Sequence, residues 1–358
     1  RLGARAPPRG RGHAAQVRPV TVAEAALSAS TFLADVRSRA ARTTRTIVFP
    51  ESGDPRTLEA VRTLLAEHVV EPILILDPAH RDTHAAARSA ARAIDPCRDP
   101  RRVQAADWLA ASPRAAKLSP EEIKKLAVTP LYFADALVRA GDAHGCVAGA
   151  VNTTADVVRA ALRMIGPAPN VTTVSSAFYM VLPDGRILTF TDCAVVPLPT
   201  DAQLADSAEA AADDRRRIVG DVPKVAFLSY STHGSAGGKS VERVRRAVAL
   251  LHARRPDLAI DGELQADAAL VPEVARRKVG ADGGPVAGTA NVLVFPSLDA
   301  GNIAYKLVER LASAVAVGPI LQGLARPCSD LSRGAGPHDI INVAAITALQ
   351  ATTLGEPT

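Results

Sequence analysis

Aromatic residues supply only 3% of this 358-residue chain. So sparse a set argues against a surface that stacks on nucleic-acid bases. Lysine is also scarce: seven of the 42 cationic side chains, the other 35 being arginine. Residues 1–20 hold five arginines and no acid, which equals the whole formal charge of +5, so the remaining chain sums to zero. A body without basic bias has no field to hold a polyanion, and nucleic acid is excluded as a partner. No apolar run reaches the roughly 18 residues of a membrane helix. The best candidate, 311–325, is broken by Ser313, Gly318, Pro319 and Gln322. The chain therefore reads as a soluble globular protein. The four cysteines, at 97, 146, 193 and 328, include no C-x-x-C pair. Zinc-module and thioredoxin-type readings fail on that spacing. Four thiols in so long a chain imply a reducing compartment rather than a disulfide framework.

What is present is apolar material, 47% of the residues, enough for more than one compact lobe. Residues 1–20 form an Arg-rich leader without periodicity, read as disordered or as an organelle transit segment. Residues 21–42 have helical spacing, with Ala26, Leu27, Phe32, Leu33 and Val36 on one face. An apolar strand at 46–50, a polar turn, a helix from Arg56 and a strand at 71–76 make a βαβ unit. The series continues with a strand at 146–150 and a helix at 155–165. Short strands at 171–178, 179–182 and 187–190 then bring a hairpin at Pro183-Asp184-Gly185. Strands at 225–230 and 292–295 each lead into a loop and a helix. These alternations predict a three-layer α/β fold, whose ligands sit beyond the carboxyl ends of the strands.

The loops after the strands are therefore the informative segments. Ser231 and Thr232 open one that ends GSAGGKS, one residue short of a Walker A loop. Its small hydroxylated residues before a helix suit either an anion or an ordinary cap. Asn152, Thr153 and Thr154, with Arg159 one turn on, form a second anion-like loop. Ser332, Arg333 and Asp339 place a hydroxyl, a guanidinium and a carboxylate in a third. Together they can hold an oxyanion and accept a proton, although chemistry alone favours Asp339 as the N-cap of the helix that follows. His80 and His84 have helical ligand spacing but no third ligand.

At these loops the sequence resembles the phosphate acetyltransferase and butyryltransferase family. The resemblance is carried by IVFPESGDPR from Ile47, VAGAVNTTAD from Val147, VSSAFYM from Val174, TDCAVVPLPT from Thr191, VAFLSYSTHGSA from Val225, DGELQADAAL from Asp261, NVLVFPSLDAGNIAYKL from Asn291, GPILQGLARP from Gly318 and SDLSRG from Ser329. It spans about residues 45–350. It implies a fold like that of isocitrate and isopropylmalate dehydrogenases: two three-layer α/β/α lobes with the active site in the cleft between them. The crossings fall near Gly166-Pro167 and Gly318-Pro319. Residues 21–166 with 319–358 would then make the first lobe and 167–318 the second.

The implied reaction is acetyl-CoA + phosphate ⇌ acetyl phosphate + CoA. Coenzyme A is a substrate here, and neither a cofactor nor a metal is called for. By the resemblance Asp339 takes the CoA thiol proton and Arg333 holds the phosphate or the developing charge. Ser332 hydrogen-bonds the same charge, and Arg159 binds CoA. A further CoA-binding arginine falls near Arg114, where SPRAAK departs from the usual R-K-x-K-G. Thr153, Thr154, Ser231 and Thr232 complete the expected substrate contacts. His233, Ser329 and Ala335 replace the usual lysine, asparagine and cysteine. The resemblance also implies a cytoplasmic homodimer, with acetate kinase as the partner enzyme. A butyryl-preferring transferase and a detached acetyl-CoA-binding regulatory domain, as attached to some malic enzymes, are the alternatives.

Overall fold

The computed structural model describes residues 22–352 except 170, 281 and 282, with backbone alone for 22–26. The leader 1–20 lies outside the described residues. Eleven strands occur in this range: β1 (Thr46–Phe49), β2 (Glu71–Ile75), β3 (Arg92–Ile94), β4 (Gly145–Ala148), β5 (Ser175–Val181), β6 (Ile187–Thr191), β7 (Lys224–Leu228), β8 (Ala259–Leu264), β9 (Val292–Val294), β10 (Val315–Gln322) and β11 (Cys328–Asp330). They form two sheets. One has the order β11-β4-β1-β2-β3 and is parallel throughout. Apart from the edge strand β3, its strands are almost wholly buried, as expected where helices cover both faces. The other has the order β10-β5-β6-β9-β7-β8. In it β6, β9, β7 and β8 run parallel, while β5 and β10 are antiparallel additions.

The hairpin stands where its turn chemistry placed it. Leu182 and Arg186 close the Pro183-Asp184-Gly185 turn between β5 and β6. β5 is one continuous strand, however, rather than two. The return to the first sheet also differs from the expected Gly318-Pro319. That dipeptide sits inside β10, where the register to β5 shifts between Val317 and Ile320. β10 is an edge strand, the place in a sheet where a proline lacking its N–H costs least. Only after Gln322 does the chain leave the second sheet, to reach β11.

The helix Pro337–Gln350 is the hub. Ile340 to Leu349 are all buried, and it packs against the helices Val22–Ala40, Pro55–Ala66 and Asp201–Ile218. Tyr179, Val181, Val317 and Ile320 of the second sheet join the same apolar cluster. The two sheets thus share a core at this helix. Helix Val22–Ala40 contributes Ala29, Phe32, Val36 and Ala40, an i, i+3, i+7, i+11 stripe. Leu27, expected on that face, is 69% exposed because it falls outside the stripe.

Candidate active site

A pocket of about 660 Å³ lies at the carboxyl edge of the parallel sheet. The loop after β1 forms one wall (Glu51, Ser52, Asp54) and the loop after β4 another (Val151, Asn152). Arg159 and Arg163 reach it from the helix Thr154–Met164, one turn apart on the same face. Glu51, Asp54, Asp77 and Asp156 also line it, Asp156 paired with Arg159, and the rest of the surface is mostly apolar; the two guanidinium groups are the features that suit an anionic ligand with an apolar body.

The loop after β4 has the backbone donors of an anion site, but their anion is internal. The Glu51 carboxylate accepts from the N–H groups of Gly149, Ala150, Val151 and Asn152 and from the Asn152 side chain, all within 3.0 Å. Gly149 makes this wrap possible. It has φ +109°, and a Cβ there would lie 2.5 Å from Asp330 Oδ1 and 2.6 Å from the Leu331 nitrogen. Thr153 is the N-cap of the following helix, accepting from the Asp156 N–H and donating its hydroxyl to the Asp156 carboxylate. Asp156 in turn holds Arg159 at 2.5 Å. Thr154 donates to Asp330 at 2.6 Å and so ties this helix to β11. Burial raises the Asp330 carboxyl to about 6, against the lowering effect of the Thr154 bond.

The third loop leaves β11 directly. Ser332, Arg333 and Asp339 are all exposed there. Among the described residues the Arg333 guanidinium makes no ion pair. Asp339 is not the N-cap of its helix. It stands at the third helical position and accepts from the N–H of Gly336, which is the cap residue. Pro337 takes the first helical position, where its missing N–H and fixed φ suit a helix start, and this sets the helix three residues earlier than the apolar pattern suggested.

Arg56, which motif reading passed over, holds these loops together. Its Nη1 donates to the carbonyls of Arg333 (2.8 Å) and Ala335 (2.9 Å), and its Nη2 to that of Ala150 (2.8 Å). Asp54 fixes the guanidinium from behind at 2.6 Å. The planar fork reaches all four groups, which a lysine ammonium cannot do.

Arg114 lines no part of the main pocket. It opens into a smaller cavity, about 180 Å³, with Arg139 and Arg163. Arg163 stands between the two, bonded to the Arg114 carbonyl and the Tyr132 hydroxyl. Ser231 and Thr232 lie in the loop after β7, and their hydrogen bonds stay within the second sheet. Ser231 donates to Glu263, while Thr232 pairs with Ser235 and Gln265. Here too the anion is internal: Glu263 accepts from the Gly234 N–H and from Arg245. The structure thus joins Thr153, Thr154 and Arg159 to Ser332, Arg333 and Asp339 through Asp330 and Arg56, and leaves Arg114, Ser231 and Thr232 apart. His80 and His84 both bond to Asp77 rather than sharing a ligand position.

The sequence profile described as "Phosphate acetyl/butaryl transferase" matches residues 31–348. The chain belongs to that family. Its members include the phosphate acetyltransferase of Acetivibrio thermocellus, 42% identical over 327 residues, covering 89% of this chain and 98% of the relative. That of Treponema pallidum is 41% identical over 333 residues, with the same coverages. A solved phosphotransacetylase from Streptococcus pyogenes superposes with a TM-score of 0.83 at 36% identity, over 90% of this chain and 98% of its own. The match runs through both sheets, so the two-sheet α/β/α arrangement is the family's fold.

Proposed function

We propose that this chain is a phosphate acetyltransferase, moving an acetyl group reversibly between CoA and inorganic phosphate within a ternary complex. The reading is supported by near full-length similarity to phosphate acetyltransferases. The structural observation that carries it is an exposed Arg333, without an ion pair among the described residues, on a loop that Arg56 ties to the loop after β4, whose Val151 and Asn152 line the pocket with Arg159 and Arg163. Arg333 holds the phosphate, and Ser332 supports the charge that develops on the acyl oxygen. Arg159 binds CoA together with Arg163, and Thr153 and Thr154 shape that wall. Arg114 acts from the adjoining cavity, and Ser231 and Thr232 contribute from the second sheet. Asp339 accepts the CoA thiol proton. A carboxylate is a weaker base than a thiolate, so proton transfer accompanies attack rather than preceding it. The attacking atom belongs to a substrate, so no enzyme nucleophile is required and orientation supplies much of the acceleration.

Two copies associate in this reading. The helix Leu298–Leu311 supports it, exposing Ile303, Leu307 and Leu311 as one i, i+4, i+8 stripe. The acyl phosphate produced needs a consumer, a role that acetate kinase fills. Free cysteines and water-soluble substrates favour the cytoplasm.

The test is thiol release from acetyl-CoA with and without phosphate. Phosphate-dependent release with equimolar acetyl phosphate is the expected result. Tight acetyl-CoA binding without release points to a regulatory domain instead. A higher kcat/KM for butyryl-CoA reassigns the acyl group.

A further inference from the structure

Beneath the site, in a part of the molecule the transfer reaction does not use, three functional groups converge from distant parts of the chain. Cys146 of β4 and Cys328 of β11 are register partners on neighbouring parallel strands. Asp135 faces them from the helix Pro130–Ala140. The carboxylate and both sulfurs lie within 4.8 Å of one another, and all three residues are fully buried. Their surroundings are apolar: Val48, Ile73, Phe133, Leu137, Val157 and Met164 belong to the same cluster. Neither carboxylate oxygen of Asp135 receives an N–H or O–H. A fully buried carboxyl group without such donors is costly to keep in an apolar core.

We propose that Asp135, Cys146 and Cys328 form a closed structural site for a thiophilic divalent cation, of which zinc is the type. Two thiolates and the Asp135 carboxylate supply three ligand residues of the types zinc takes, and the second carboxylate oxygen is the remaining donor at hand. Tetrahedral zinc with sulfur bonds of about 2.3 Å sets two sulfurs about 3.8 Å apart, inside the 4.8 Å within which the three ligand atoms lie. A bound cation is the largest local charge and deprotonates its thiol ligands, reversing the effect of burial. Binding releases both thiol protons and the Asp135 proton to solvent. No electron moves, and the neutral group of two thiols and a carboxylic acid becomes a complex of net charge −1. The Asp135 carboxylate exchanges its weak thiol contacts for the cation in the same step.

The site also has a mechanical use. β11 is a three-residue edge strand that returns to the first sheet after the whole second sheet has been built, and it leads directly to Ser332 and Arg333. A metal joining it to β4 and to helix Pro130–Ala140 locks the register on which that loop depends. Local ligand spacing could not reveal the site, because its two cysteines stand 182 positions apart.

The test is made on the full chain, refolded with Zn²⁺, with Co²⁺ or with chelator, since a sealed site loads during folding. One zinc per chain by native mass spectrometry is expected, with a melting temperature about 5–10 °C above the chelated sample. Cobalt should give a near-ultraviolet thiolate charge-transfer band. C146S and C328S should abolish that band, Asp135→Asn should weaken it, and C97S should retain it. If the serine variants do not fold, the wild-type cobalt spectrum and zinc stoichiometry still decide the matter. Absence of the band in the wild type, its persistence in C146S or C328S, or a Cys146–Cys328 disulfide two hydrogens lighter overturns the proposal. None of these readouts uses acetyl transfer, so they stand apart from the proposed function.

Discussion

Glu51 accepts both the backbone N–H and the side-chain amide of Asn152, each at 2.8 Å. The loop at residues 149–152 is shaped around this one carboxylate, and its backbone donors are not available to a substrate phosphate. Glu51→Gln replaces an acceptor oxygen with an N–H₂ facing N–H groups. A charge-assisted bond contributes about 1.5–3 kcal/mol, so loss of the arrangement should raise the KM for CoA by about 10- to 100-fold. Initial-rate kinetics at saturating phosphate measure it. An unchanged KM would show that the loop keeps its shape without its internal anion.

Arg333→Ala and Asp339→Ala should each lower kcat by about 10²- to 10³-fold while circular dichroism stays native. Both side chains are exposed, and neither holds together elements of the fold beyond its own loop. Near-normal turnover in either variant removes that residue from the mechanism.

Arg56 acts through the Arg333 loop, as a positioning residue. Arg56→Lys keeps the charge but loses the fork that reaches Asp54, Ala150, Arg333 and Ala335. The expected fall in kcat is about 10-fold or more in the wild-type background and slight in Arg333→Ala, the signature of coupled residues. Equal falls in both backgrounds mean that Arg56 stabilises the fold generally and does not aim the loop.

Much of this architecture was legible because strands and helices carry opposite periodicities. The βαβ unit through 46–76 and the hairpin at 183–185 followed from apolar alternation and turn chemistry alone. β10 was hidden because Gly318-Pro319 reads as a break, and only the long pairing with β5 shows it to be a strand with a bulge. The family motifs pointed to Ser332, Arg333 and Arg159. They did not reveal that Glu51 and Glu263 supply the anions for two loops resembling anion sites. Those contacts join residues about 100 and about 30 positions apart, and a loop's own sequence does not say whether its anion is internal or bound. Arg56 was missed for the same reason: beyond the nearby Asp54 its partners are backbone carbonyls, which leave no sequence signature.

Glu263 offers a pH test of the second such loop. Its carboxyl is subject to burial, which would raise it. The bonds from Arg245, the Gly234 N–H and the Ser231 hydroxyl outweigh burial and hold it at about 2, against 4.5 unperturbed. A carboxyl depressed in the folded state binds its proton more readily when unfolded. Its contribution is therefore complete above about pH 4.5 and disappears as the pH falls towards 2. A shift of this size corresponds to at most about 3 kcal/mol. Glu263→Gln should thus melt below the wild type at neutral pH, and the gap should narrow steadily through the acid range. Thermal unfolding of both proteins over that range measures the gap. A gap independent of pH means that packing, rather than the ionised carboxylate, accounts for the effect of Glu263.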